Sequence, residues 1–431
     1  MTDSMNAGAG GVVINDGPGE LQTASKAGGI EFHGERKPLA RLVIKNMLLT
    51  IVTFSIYRFW ARTNIRKYYW GNTVLLGDRL EYTGRGGELF IGFLIVMVIL
   101  VPVSIVYNLL EVFLLTRYPD VGLVVTIVYV VGFIWLINFA FFRARRYRLT
   151  RTAWRGIHAG QTGSGAKYAT HAVLWGLASI VTLGVSVPWG HVALQRYEIT
   201  NALFGKTAFG YAGQAREVFR LWWPVLALLG MALLYGGVLF FLKESIGPSW
   251  AAIEQLEGPE VARVARMDFL AFWGLLLLPG LVLWCLGIAF MVRFRIALIR
   301  YLFNVISLAR ARFESTLSVW RVVGFFAAAF VLPYAVLGAL IGVPLVLLDP
   351  GYSVSFGALG FPIFLIVFFA FFGLPQLTAH LLFYVPLMRH ITETLTLENP
   401  EEIETIVQGV RDDPRFGEGL VDAFSFDVGA I

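Results

Sequence analysis

Residues 121–167 read VGLVVTIVYVVGFIWLINFAFFRARRYRLTRTAWRGIHAGQTGSGAK, and the change of character in the middle of that run decides the fold class. Val121 to Phe142 is apolar over the roughly 20 residues that a helix needs to cross a hydrocarbon core. Residues 143–167 then carry Arg143, Arg145, Arg146, Arg148, Arg151, Arg155 and Lys167, and no acid. An apolar span that empties into arginines is a transmembrane helix ending at the cytoplasmic face.

Working outward, the same pattern recurs. Six stretches are long and apolar enough to span: about 90–115, 121–142, 220–242, 268–292, 320–348 and 357–386. Two more, 39–58 and 169–189, are borderline, because the first carries Arg41, Lys45 and Asn46 and the second His171 with several Gly and Thr. Basic residues also crowd 61–88 (Arg62, Arg66, Lys67, Arg79, Arg85) and 293–319 (Arg293, Arg295, Arg300, Arg310, Arg312), whereas 116–120, 243–267 and 349–356 are poor in them. Six spans put every basic segment inside; making 169–189 a seventh would push the arginines of 293–319 outward. The expected fold is therefore an α-helical polytopic membrane protein with six full spans in three parallel helical hairpins and both termini cytoplasmic. The segments 39–58 and 169–189 become re-entrant or in-plane helices.

Composition agrees with a bilayer and excludes other classes. Of 431 residues, 57% are hydrophobic and 15% charged, against about a quarter charged in soluble domains. The net charge of +6 sits beside apolar segments, so anionic lipid explains it and nucleic acid does not. The lone Cys285 excludes an internal disulfide framework and, between Trp284 and Leu286, reads as a packed thiol. Residues 1–30, rich in Gly, Ala and Ser, read as a disordered tail without the basic start and apolar core of a secretory signal.

Internal similarity organises the rest. Segment 51–90 aligns without gaps onto 180–219: Ile51-Val52-Thr53 meets Ile180-Val181-Thr182, Trp60 meets Trp189, Tyr68 meets Tyr197, Asn72 meets Asn201, and Glu88 meets Glu217. At an offset of 79, Arg66, Tyr68, Thr73, Gly77 and Thr83 recur as Arg145, Tyr147, Thr152, Gly156 and Thr162, and a degenerate copy follows Arg300-Tyr301. Such self-similarity predicts duplication. The units expected are 31–142, 143–292 and a degenerate 293–388, followed by an acidic cytoplasmic tail at 389–431. In each, Thr73-Val74-Leu75-Leu76, a turn at Gly77-Asp78-Arg79 and Leu80 to Thr83 predict a short cytoplasmic β-hairpin, the hairpins gathering into one cap.

These residues also carry a resemblance. The run Asn46 to Trp60 (NMLLTIVTFSIYRFW), Arg66 to Gly84, Glu88-Leu89-Phe90, Thr182-Leu183-Gly184, Pro188-Trp189 and the tail Gly417 to Phe424 (GEGLVDAF) resemble the YjgN-like family of bacterial inner-membrane proteins, over about residues 30–431. The resemblance implies an inner-membrane location and this architecture; the family is a domain of unknown function, so it implies no chemistry. The first copy departs from Thr-Leu-Gly by reading Thr53-Phe54-Ser55.

Polar side chains inside spans are the candidate sites, because each is costly there. They are Glu111 with Asn108 in the first span, Asn138 in the second, and Gln376, Thr378 and His380 in the last, with Arg41, Lys45 and Asn46 on one face of the first borderline helix. Each has a plainer alternative: Glu111 facing water beside Arg117, His380 bonded to a neighbouring helix, Arg41 and Lys45 reaching lipid phosphates. Trp60 and Trp189 read as interface anchors. Pro102, Pro279, Pro333, Pro344, Pro362 and Pro375 kink or break spans. No HExxH or Cys cluster exists, so neither a metal nor another cofactor is expected, and no residue is assigned as catalytic. Gly160 to Lys167 lacks the Gly-Lys-Ser/Thr ending of a phosphate loop. The leading functional expectation is binding or passage of a small molecule or lipid through an intramembrane cavity, with membrane lipids as partners. A membrane scaffold recruiting a cytoplasmic protein, or a membrane-embedded enzyme, are the alternatives.

Overall fold

Ten short strands in chain order form one antiparallel meander in the computed structural model, which describes residues 29–246, 259–336 and 373–409, side chains of 242–246 and 259–278 excepted. They are β1 (Ile30–Phe32), β2 (Thr73–Leu75), β3 (Asp78–Tyr82), β4 (Thr152–Trp154), β5 (Ile157–Gln161), β6 (Ala202–Phe204), β7 (Thr207–Tyr211), β8 (Ile306–Leu308), β9 (Ala311–Ser315) and β10 (Leu395–Glu398). Each pairs with its neighbour in sequence, and β10 returns alongside β1, so the sheet curls into a nearly closed crown. Strand alternation sends one set of side chains inward. Trp154, Phe204, Leu308 and Leu397, with Leu75, Leu80, Ala159 and Phe313, pack there as an apolar throat.

The turns explain the register. Leu76 and Gly77 join β2 to β3 at φ 48° and 86°, and Arg155 and Gly156 join β4 to β5 at φ 48° and 74°. A two-residue hairpin of this hand needs positive φ at both central positions. The turn expected at Gly77-Asp78-Arg79 therefore lies one residue earlier, and Asp78 already pairs with Leu75.

From the edge opposite these turns the chain makes helical excursions. The first four pairs are α1 (Arg36–Val52) with α2 (Arg58–Gly71), α3 (Gly86–Arg117) with α4 (Pro119–Thr150), α5 (Gly165–Val181) with α6 (Val187–Thr200), and α7 (Ala215–Ile246) with α8 (Pro259–Val305). The last leaves as α9 (Val319–Phe326), continues as π-helix through Ala327–Val331, and returns through π-helical Ala379–Tyr384 into α10 (Val385–Thr394). The tandem Gly165-Ala166-Lys167 is the first turn of α5, capped by the Ser164 hydroxyl.

Pair length divides the molecule. α1 and α5 have 17 residues each, about 25 Å, whereas α3 and α4 have 32. Five helices among the described residues are long and apolar enough to cross a membrane: Gly86–Arg117, Pro119–Thr150, Ala215–Phe241, Pro279–Val305 and Val319–Val336. This is a helical membrane protein. The expected sixth span, 357–386, is described only from Gly373, and residues 1–28, 247–258, 337–372 and 410–431, including the expected loop at 349–356, lie outside the described residues.

The bases of the pairs share one clasp. The Tyr68 hydroxyl of α2 accepts from the Glu35 N–H (2.8 Å) and donates to the Glu35 carbonyl (2.6 Å) just before α1. Tyr197 does the same to Ser164 (2.8 and 3.0 Å) and Tyr301 to Gln214 (2.6 and 3.3 Å). In the last excursion His390 Nε2 accepts from the Ser318 N–H (3.1 Å). Tyr147 instead donates to Glu88 (2.7 Å), which Arg151 also engages (3.0 Å). A helix start leaves backbone groups without intrahelical partners, and these rings supply them.

Two sequence expectations need correction. Residues 389–398, expected within an acidic tail, form the end of α10 and the strand β10; Leu395-Thr396-Leu397-Glu398 alternates, burying both leucines. Cys285 is exposed, not packed. Apolar sequence neighbours signal burial in water-soluble proteins, whereas a membrane helix turns apolar residues outward.

Candidate site inside the helix ring

The helices form a circuit. α2 packs on α3, α4 on α5, α6 on α7, α8 on α9, and the π-helix 379–384 closes back onto α1. Among the described residues, every substantial helix contact joins neighbours on this circuit. Ten helices at packing distances of about 8–10 Å make a ring roughly 30 Å across between opposite axes.

The two short pairs end inside the height of the long ones. Counting from equivalent starts at Arg36 and Gly86, the last residue of α1 is level with Pro102, so α3 runs on for another 15 residues. The short tips are apolar and bare: Phe54 is 93% exposed and Val181 83%. Thr53 builds the first tip, its hydroxyl donating to the Leu49 carbonyl (2.7 Å) and accepting from the Tyr57 N–H (2.9 Å). Thr182 does the same with Ala178 and Ser186 (2.8 and 3.1 Å), which explains the shared Ile-Val-Thr.

The expected site residues separate. Asn46 is buried between α1 and α2, donating to the Ala61 carbonyl (3.3 Å), while Arg41 and Lys45 are exposed, so the three do not form one polar face. The reason is the 3.6-residue period: Asn46 follows the buried Leu39 and Val43, and the two basic residues fall between them. His380 is buried, its Nδ1 3.2 Å from the Tyr69 hydroxyl, against Tyr384. Gln376, four residues earlier, is exposed. Thr378 donates to the Ala329 carbonyl (2.7 Å), the oxygen that Pro333 leaves without its helical N–H. Each π-helical stretch ends two residues before a proline, Pro333 or Pro386.

In the projecting half of α3 and α4, Tyr107 stacks on Tyr129 at 3.6 Å and donates to Thr126 (3.2 Å), and Thr126 reaches Glu111 (3.4 Å). Glu111 thus faces its own partner helix. Asn108 is exposed and Asn138 half-buried, and each bonds the carbonyl four residues back (2.7 and 2.8 Å). Trp60 is half-buried on Tyr57 and Phe90, and Trp189 is exposed beside Phe219. α3 and the π-helix carrying His380 make no substantial contact, so Glu111 and His380 are not brought together. No group of three or more His, Cys, Asp or Glu that could hold a metal occurs among the described residues.

Sequence reasoning missed two features. The clasp was visible in the aligned Tyr68, Tyr147, Tyr197 and Tyr301, but no spacing names the backbone group each would hold. Gln161 shares the inward face of β5 with Ile157 and Ala159, is buried, and its side-chain amide has no hydrogen-bond partner among the described residues. A buried amide without a partner is uncommon in a folded protein.

The family model described as "Bacterial protein of unknown function (DUF898)" matches residues 28–423. The chain belongs to this family. Its curated relatives include Inner membrane protein YjgN of Salmonella typhimurium, 28% identical over 130 residues, and Inner membrane protein YjgN of Escherichia coli strain K12, 27% identical over 126 residues. These alignments cover 30% of this chain and of the first relative, and 29% of this chain and of the second. No solved structure matches.

Proposed function

We propose that this is a multi-pass inner-membrane protein whose helix ring holds a lipid or another largely apolar small molecule. The observation that carries the reading is the circuit of neighbour-only contacts, with two pairs too short to wall it at full height. Seventeen residues fall short of the roughly 30 Å hydrocarbon core. In the reading proposed, α1–α2 and α5–α6 re-enter on the crown side, six full spans include 357–386, and lipid reaches the ring above the bare tips. The arginines at the crown-side bases support a reading with crown and termini in the cytoplasm. Gln161 gives the interior a bare polar group for an occupant's head, and Asn108, Glu111 and Asn138 are the polar positions along the walls. The recurrence of element lengths at an offset of 129 supports duplication, with strand–helix pair–strand as the repeated unit.

Native mass spectrometry of the protein released gently from its own membrane tests this. One bound lipid or metabolite per chain, retained as detergent is exchanged, is the expected result. Apoprotein that carries a co-purified protein instead would replace this reading with the scaffold, which the docking of an acidic segment on the crown favours.

A further inference from the structure

The end of the crown that bears the strand turns is covered by the chain's own residues 399–409. After β10 the backbone reverses at Asn399, φ 54°, and runs through a four-residue helix, α11 (Glu401–Glu404). Ile403 and Ile406 drop into the apolar throat and are buried there. Eight strands make a barrel that their own side chains fill; ten leave a wider bore, and these two isoleucines complete its packing.

The attachment of this strap differs in kind from the wall it closes. It adds no strand to the ladder. Its backbone and amide clips are few: the Lys206 N–H donates to the Val407 carbonyl (3.1 Å), the His158 N–H to Gln408 Oε1 (2.7 Å) and the Asn399 side-chain amide to the Arg310 carbonyl (3.3 Å). Its charged latches are at the surface, Arg155 with Glu404 (3.4 Å) and Arg310 with Glu402 (3.7 Å). Exposed ion pairs of this kind are weakened by salt. Asp78 also bonds Arg155, so the latch is tied to the neighbouring turn.

We propose that residues 399–409 are a detachable, salt-sensitive stopper, whose release opens the apolar throat of the crown onto the interior of the helix ring. What the opening serves rests on the function proposed above; the detachment itself does not. The acidic strap on basic turns is a closure that ionic strength, or a competing acidic segment with two apolar anchors, can lift.

The test uses the full chain with Cys285→Ser and Leu308→Cys, which places a single thiol in the throat. Its rate of modification by a charged maleimide reports the closure. Reversing both latches with Glu402→Lys and Glu404→Lys is expected to raise that rate about tenfold. High salt is expected to raise the rate of the parent and to leave the reversed protein little changed. Equal rates in the two proteins at low and high salt would overturn the stopper. Should the double reversal lower the melting temperature, Gln408→Ala, which removes a single clip, keeps the test open and is expected to give a smaller increase. Absence of a bound lipid in the mass spectrum would instead count against the ring reading and leave the labelling result standing.

Discussion

The crown-side bases of the helix pairs and their far ends are held by different means. At the base each pair is tied twice. An aromatic ring from the returning helix engages the start of the outgoing one or, with Tyr147, the Glu88 of its first turn; the residue after the strand that precedes the pair is bonded to the residue where the pair ends. His33, Thr83, Thr162, Ala212 and Thr316 make that second tie in turn, with N···O distances of 2.8 to 3.1 Å. At the far ends the described helices of α3 and α4 meet only each other, through Tyr107, Thr126 and Tyr129. A membrane supplies no hydrophobic drive between helices, so the base sets the architecture and the lipid surrounds the rest. The difference is open to test at three levels.

The largest expected effect is a pH dependence at two histidines, His191 part-way along the short helix α6 and His390 at the last clasp. His191 in α6 is pushed down to about 4 by burial and then by the charge of Arg295. His390 is pushed down too, by burial and Arg321, against a smaller opposing pull from Glu393. Both are depressed histidines, so the unfolded chain takes up a proton before the folded one does. Stability is fully present above the ordinary histidine value of 6.5 and is lost as pH falls from there towards about 4. His191 alone contributes on the order of 2–3 kcal/mol to that loss. Thermal unfolding in detergent at neutral and mildly acid pH measures it, and His191→Gln is expected to flatten the slope; an unchanged slope would refute the assignment. The same acidification removes the acceptor at His390, so the last clasp weakens while the tyrosine clasps persist.

Next in size is the clasp itself against its counterpart at the far end. Tyr197→Phe leaves the Ser164 N–H at the base without its partner, while the Ser164 carbonyl keeps the Tyr168 N–H at 3.1 Å, an expected cost of about 1–3 kcal/mol. Tyr107→Phe removes a donor from Thr126, whose own hydroxyl already has the Gly122 carbonyl at 3.0 Å, and is expected to cost less than about 0.5 kcal/mol. Melting temperatures of the two variants decide the matter, and equal losses would erase the distinction between base and tip.

What the sequence disclosed follows the same division. Hydropathy found the long helices, and self-similarity found the hairpins β2–β3, β4–β5 and β6–β7, because both signals are local. Closure is not local. Leu395 to Glu398 is four residues long and sits among acids, so its alternation was hidden, and with it the return of β10 to β1. Of the candidate site, His380 was legible as a ring bonded to a neighbouring helix, and Tyr69 is that bond. Asn46 was separable from Arg41 and Lys45 by helical phase alone. Gln161 was beyond reach, because nothing in a strand sequence says that a neighbouring amide finds no partner.

The smallest effect compares the two short pairs with one another. Their tips are superimposable in plan: Phe54 and Leu183 both take φ 49°, and the next residue is Ser55 at φ 70° in one and Gly184 at φ 86° in the other. In both, that residue's N–H reaches back to the carbonyl five residues earlier at 2.7 Å, closing the helix end. A left-handed conformation costs a non-glycine residue about 1–2 kcal/mol, and glycine gives part of that back through its freer unfolded chain. Ser55→Gly is therefore expected to stabilise the first pair by about 0.5–1 kcal/mol. Gly184→Ala is expected to cost the second pair a similar amount, and only through φ, since a β-carbon there would meet nothing nearer than Leu226 at 3.5 Å. The second tip has an additional tie, the Trp222 indole N–H donating to the Gly184 carbonyl at 2.9 Å. Hydrogen exchange at the Ser55 and Gly184 amides should then show the first tip opening more readily than the second, and Ser55→Gly narrowing the gap. If Ser55→Gly destabilises instead, the serine is held by something other than the turn, and the two short pairs are alike in outline only.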